Sequence, residues 1–196
     1  MNLISLDKDL FLFINGWVGK LPWCDNLIKL VVNEYFVPAT LSLILLYLWF
    51  APSKNQTKQQ EAILTAFFSI VVLAILIVLS NQFIVRERPF AQLPTHLLFY
   101  RPTDPSFPSN AAAVGLSLAT AIFLVTQRLG TTAILLAVFY AFSRVYAGVH
   151  FPSDVIAGAI LGVLITLLVS RFTSLMKFST DIARKVQKRL QLNLDT

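Results

Sequence analysis

The stretch Ser143-Arg144-Val145-Tyr146-Ala147-Gly148-Val149-His150-Phe151-Pro152-Ser153-Asp154 sets a cation, an imidazole and a carboxylate at the junction of two long apolar segments. Ionisable groups beside a hydrocarbon layer are costly, so they persist when paired or functional. Arg144 falls near the end of the first apolar segment. Asp154 follows His150 by one helical turn, where its carboxylate is expected to reach back to the imidazole and hold its tautomer. The other ring nitrogen is then free to attack.

The rest of the chain explains why this junction belongs at a membrane. Of 196 residues, 56% are hydrophobic and 13% charged, and the mean hydropathy is +0.70. That composition predicts a single-domain, all-α polytopic membrane bundle with five to six transmembrane helices. The net charge of +6 does not point to nucleic acid, because the cations sit in loops and in the tail, as membrane insertion requires. Cys24 is the only cysteine, so no internal disulfide is available. The mixed N-terminus, with Asp7, Lys8 and Asp9, is not expected to be a cleavable signal peptide.

Five apolar spans are expected, at 35–51, 62–85, 109–127, 131–149 and 152–170. Residues 1–33 alternate apolar patches with charges and read as an interfacial helix, a turn at Gly19 to Pro22 and a second short helix. Residues 52–61 and the neighbourhood of Arg128 read as polar loops. Gly158 and Gly162 give the last span a Gly-x-x-x-Gly spacing that permits close helix packing. Residues 171–196 form a basic, partly amphipathic tail expected along the inner membrane surface.

Charge fixes an orientation. Lys54, Lys58, Arg128 and six cations of the tail fall on one side, nine in all, which is therefore expected to be cytoplasmic. The polar segment 86–109, with five prolines and three arginines, then meets the His150 junction on the opposite face. In a bacterial inner membrane that face is periplasmic or exterior.

Several residues at that level suit an anion. Arg88 and Arg144 share the side where positive residues are not preferred, and guanidinium forks fit phosphate oxygens bidentately. Arg86 is balanced between interfacial anchor and ligand. Ser109 is a natural N-cap for the third span, whose first free N–H groups, at Asn110 and beyond, attract anions. With two histidines and one cysteine, ligand spacing for a metal is absent and no cofactor is expected.

These three stretches resemble the type 2 phosphatidic acid phosphatase (PAP2) family, which shares its phosphate site with vanadium haloperoxidases. The family's third motif, Ser-Arg-x5-His-x3-Asp, is matched in full by Ser143, Arg144, His150 and Asp154. Its first, Lys-x6-Arg-Pro, appears as Asn81-x6-Arg88-Pro89, with asparagine for lysine. Its second, Pro-Ser-Gly-His, appears as Pro108-Ser109-Asn110-Ala111. The resemblance covers roughly residues 60–170 and is nearest to the bacterial undecaprenyl-diphosphate phosphatase branch.

The resemblance implies a metal-independent lipid phosphatase. His150 would take the terminal phosphoryl group as a phosphohistidine and Asp154 would orient it. Asn81 stands at a substrate-binding position, and Arg88, Arg144, Ser109 and the Asn110 backbone would hold the phosphoryl oxygens. Ala111 occupies the position of the histidine that protonates the leaving group. General acid catalysis contributes about 10²–10⁴-fold, so the loss should weigh least on a diphosphate, whose leaving group is already a stable anion. Alanine here stands for a disabled enzyme, a slow diphosphatase, or a relative that binds or moves anionic lipid headgroups without turnover. His96 is the only other imidazole in the outer loop that can be considered as a substitute acid.

Overall fold

A computed structural model describes residues 2–53 and 56–172, together with 182, 185 and 186. The basic tail expected at 171–196 lies almost wholly outside the described residues. Those described form eight helices and no strand: α1 Leu3–Asn15, α2 Pro22–Val31, α3 Phe36–Phe50, α4 Gln56–Phe83, α5 Pro89–Gln92, α6 Asn110–Val125, α7 Gln127–Tyr146 and α8 Pro152–Ser170. The chain is an all-helical membrane protein. Helices α4, α7 and α8 are long and apolar enough to cross a bilayer, and α2 with α3, bent by 54°, make a fourth candidate. Helix α6 is apolar but has only 16 residues.

Helix α6 is the axis of the bundle, packed by α3, α4, α7 and α8. Its sequence suits that place: Ala112, Ala113, Gly115, Ala119 and Ala121 are buried on several faces and leave room for neighbouring backbones. Helices α4 and α8 bury one side and turn Ile75, Val78, Ile160 and Leu164 outward, as lipid-facing helices do.

Two elements differ from the spans expected. Helix α4 starts at Gln56, inside the stretch read as a polar loop, because Gln, Lys and Glu are good helix formers. The loop around Arg128 is one extended residue, Thr126 (φ −136°, ψ 114°), between α6 and α7. Gly130 permits this tight reversal: a Cβ there would lie 2.2 Å from Phe123 Cα.

The Gly-x-x-x-Gly face of α8 packs on the start of α6. A Cβ on Gly158 would stand 2.3 Å from the Ser109 carbonyl oxygen, and one on Gly162 would stand 2.2 Å from that of Ala113. Replacing Gly158 with alanine should push α8 from α6 and destabilise the bundle by about 1–3 kcal/mol. The expected readout is a lower thermal-unfolding midpoint in detergent, with a loss of phosphate binding because Ser109 caps the helix end at the cavity.

Candidate active site

A cavity of about 420 Å³ opens between the α2–α3 junction, the segment joining α4 to α6, the N-terminal end of α6 and the C-terminal end of α7, with His150 at the α7–α8 junction. His150 forms its floor, because α7 ends in a sharp turn. Gly148 has φ +87°, a left-handed conformation that glycine adopts without strain, and Val149 N–H returns to the Arg144 carbonyl at 3.1 Å. Pro152 then begins α8 at once. Only His150 and its two neighbours separate this turn from the next helix.

The ring is 2% exposed. Its Nδ1 lies 2.9 Å from the Ser106 carbonyl oxygen; a carbonyl can only accept, so Nδ1 carries the proton. Nε2 is therefore the unprotonated nitrogen, 3.2 Å from Arg88 Nη1, which donates to it. Burial, then the charges of Arg88 and Arg144, push the imidazole well below its ordinary value, opposed by the bond to Ser106. The ring is neutral at neutral pH, with its lone pair at the cavity.

Asp154 does not reach back to the imidazole, which corrects the expectation from spacing. It sits in the first turn of α8, where Oδ2 accepts the Phe151 N–H at 2.9 Å and Ser106 Oγ at 2.6 Å. Its Oδ1 accepts Arg86 Nη1 at 2.5 Å. Half of this is a helix cap, since the side chain bonds the backbone N–H just ahead of the helix. Ser106 therefore stands between the aspartate and the ring, bonding one through its hydroxyl and the other through its carbonyl.

Arg88 and Arg144 both line the cavity, buried and each next to a carboxylate. Arg88 donates through Nε and Nη2 to the Asp104 carbonyl and Oδ1, both at 2.9 Å, and through Nη1 to the Val149 carbonyl at 3.0 Å. Arg144 donates to the Val32 carbonyl at 2.8 Å, lies 3.6 Å from Glu34 Oε1 and stacks 4.8 Å from the Phe99 ring centroid. Its Nε is buried with no partner. Asn110 and Ala111 line the wall above His150, at the helix start where amides lack intrahelical acceptors.

The structure thus brings together His150, Arg88, Arg144, Asn110 and Ala111. Ser109 is wholly buried and caps α6 through Oγ to Ala112 N at 3.4 Å, without lining the cavity. Asn81, in the last turn of α4, has a buried Oδ1 without a partner and does not line the cavity either. His96 is absent from the wall; its backbone is held by Asn15. Sequence spacing missed Ser106, Glu34 and Asp104, although Ser106 opens the Ser-Phe-Pro-Ser run and Asp104 lies in the same outer segment.

Residues 62–176 match the PAP2 superfamily. The chain belongs to the PAP2 superfamily. It is 32% identical over 194 residues to the "Bacitracin transport permease protein BcrC" of Bacillus licheniformis, covering 97% of this chain and 93% of that protein. It is 24% identical over 185 residues to the "Undecaprenyl-diphosphatase BcrC" of Bacillus subtilis, covering 94% and 93%. The solved structure of Aquifex aeolicus LpxE superposes with a TM-score of 0.69 at 26% identity, over 85% of this chain and 95% of that one.

Proposed function

We propose that this PAP2 chain, a membrane-bound phosphatase, removes the terminal phosphate of a polyprenyl diphosphate such as undecaprenyl diphosphate. His150 Nε2 attacks the terminal phosphorus and the bond to the bridging oxygen breaks. The lipid monophosphate departs with that electron pair. Water then attacks the phosphorus of the phosphohistidine, releasing orthophosphate and restoring the ring. Arg88, Arg144 and the first amides of α6 stabilise the phosphoryl oxygens, an electrostatic role suited to a buried site. No metal is required by this sequence of steps.

One observation carries the reading: a neutral imidazole held by Nδ1–H on Ser106, with Nε2 against the buried Arg88 and the buried Arg144 lining the same cavity. Asp104 and Glu34 pair with those arginines at positions where phosphoryl oxygens would bind. A terminal phosphate, with more charge and three oxygens, displaces them. Nine loop and tail cations on the other side support a cavity facing the periplasm or exterior, with the tail cytoplasmic and five to six crossings. Residues 60–170 would carry the chemistry.

A polyprenyl diphosphate radiolabelled in its terminal phosphate tests this. The expected product is an acid-labile, base-stable label on the peptide containing His150. Label on another peptide, or an acid-stable adduct, overturns the assignment. The second reading, a protein that binds or moves anionic lipid headgroups, is favoured by one observation, Ala111 on the cavity wall.

A further inference from the structure

Asp7 lies on α1, ahead of the segment that matches the family, yet it is bonded into the site. Its Oδ2 accepts Arg86 Nη2 and Ser153 Oγ, both at 2.6 Å, and its Oδ1 accepts the Ser153 N–H at 2.9 Å. The side chain is only 10% exposed. The other arm of the same guanidinium, Nη1, donates to Asp154 Oδ1 and, at 2.7 Å, to Ser153 Oγ, and the group lies 4.3 Å from the Phe151 ring centroid. Arg86 is therefore a strut between two carboxylates, one on α1 and one on α8.

An anchor for α1 needs only the bonds to Ser153. It does not need an arginine whose far arm ends on Asp154. With both arms engaged, Arg86 cannot rotate, and Asp154 Oδ1 is fixed in place. Asp154 Oδ2 then fixes the Ser106 hydroxyl, and Ser106 presents its carbonyl to the ring.

We propose that Asp7 is a positioning residue: acting through Arg86, Asp154 and Ser106, it holds His150 in the Nδ1–H tautomer that turns an unprotonated Nε2 toward Arg88 at the cavity. This rests on His150 as the nucleophile, as proposed above. It also assigns a place in the site to the N-terminal helix, which the motif comparison leaves outside.

The chain has two histidines, so nitrogen-15 labelling of histidine in detergent micelles resolves the ring directly once His96→Gln assigns the signals. The parent should show His150 with a protonated Nδ1 and an unprotonated Nε2. Asp7→Asn should show a mixture of tautomers, with kcat on polyprenyl diphosphate about tenfold lower and KM within about twofold. Asp7→Glu keeps the charge and should lie nearer the parent in both readouts; it serves if Asp7→Asn does not fold. Asn15→Ala controls for loosening of α1, since Asn15 ties that helix to the His96 and Tyr146 carbonyls, both at 2.8 Å. It should lower the melting temperature without changing the tautomer. Parent-like tautomer and kcat in Asp7→Asn overturn the inference, as does equal mixing in Asn15→Ala or an Asp7→Glu form that behaves no better than Asp7→Asn. Full turnover in His150→Ala would instead overturn the nucleophile reading beneath it.

Discussion

Replacing His150 with alanine is expected to lower phosphate release from a polyprenyl diphosphate by about 10⁴-fold or more, as loss of a nucleophile does elsewhere. Among the described residues that line the cavity, only His150 offers a buried, unprotonated ring nitrogen beside guanidinium groups. The arginines remain in the variant, so lipid diphosphate binding should persist while turnover stops. That split separates an enzyme from a binding protein: a binding protein has no turnover to lose. The pH profile adds a second check. Burial and the charges of Arg88 and Arg144 hold His150 well below its ordinary value of 6.5. Protonation would remove the attacking lone pair, so activity falls on the acid side of that lowered value and not at 6.5. Between about pH 7.5 and 6.5, kcat/KM should be insensitive to His150. An acid limb at or above 6.5 that vanishes with His150 would contradict the buried, neutral ring. Undiminished turnover in His150→Ala would remove the nucleophile altogether.

How much of this could be read without coordinates follows from what each contact depends on. Arg144, His150 and Asp154 lie within one short stretch, so their meeting at one helix junction follows from local spacing. Arg88 joined them through charge asymmetry, a property of the whole chain that hydropathy and loop cations report. The relay behind the ring was hidden. Spacing put Asp154 one turn from His150, but the turn at Gly148 and the start of α8 at Pro152 aim its carboxylate at Phe151 N–H and Ser106 instead. Ser106 acts through its carbonyl, which every residue possesses, so side-chain identity gives no warning. Asp7 and Arg86 are 79 residues apart, and they meet only through the tertiary packing that lays α1 against α7 and α8. Helix ends were misplaced for a different reason. Hydropathy marks what lipid accepts, whereas Gln56–Glu61 continue α4 beyond the apolar run by propensity.

Replacing Ala111 with histidine is expected to raise phosphate release from a polyprenyl diphosphate by about 10²-fold, and from the matching monophosphate by up to about 10⁴-fold. Position 111 lines the cavity in the first turn of α6, on the wall it shares with Asn110, so an imidazole there can face the leaving oxygen. The groups now around that oxygen do not replace it. Tyr100 donates to Glu34 Oε1, and that bond is the first cause pushing its phenol up to about 12, a poor proton donor at neutral pH. His96 does not line the cavity. A departing lipid phosphate tolerates the lack of a proton because its charge spreads over several oxygens; a departing alcohol does not. The ratio of the two substrates' gains is therefore the informative number. A much larger gain for the monophosphate marks position 111 as the missing acid and the diphosphate as the substrate this chain can still turn over. Equal small gains would mean that leaving-group protonation is not limiting. Silence in both forms with both substrates, together with retained lipid diphosphate binding, would make the chain a binding protein built on a phosphatase site.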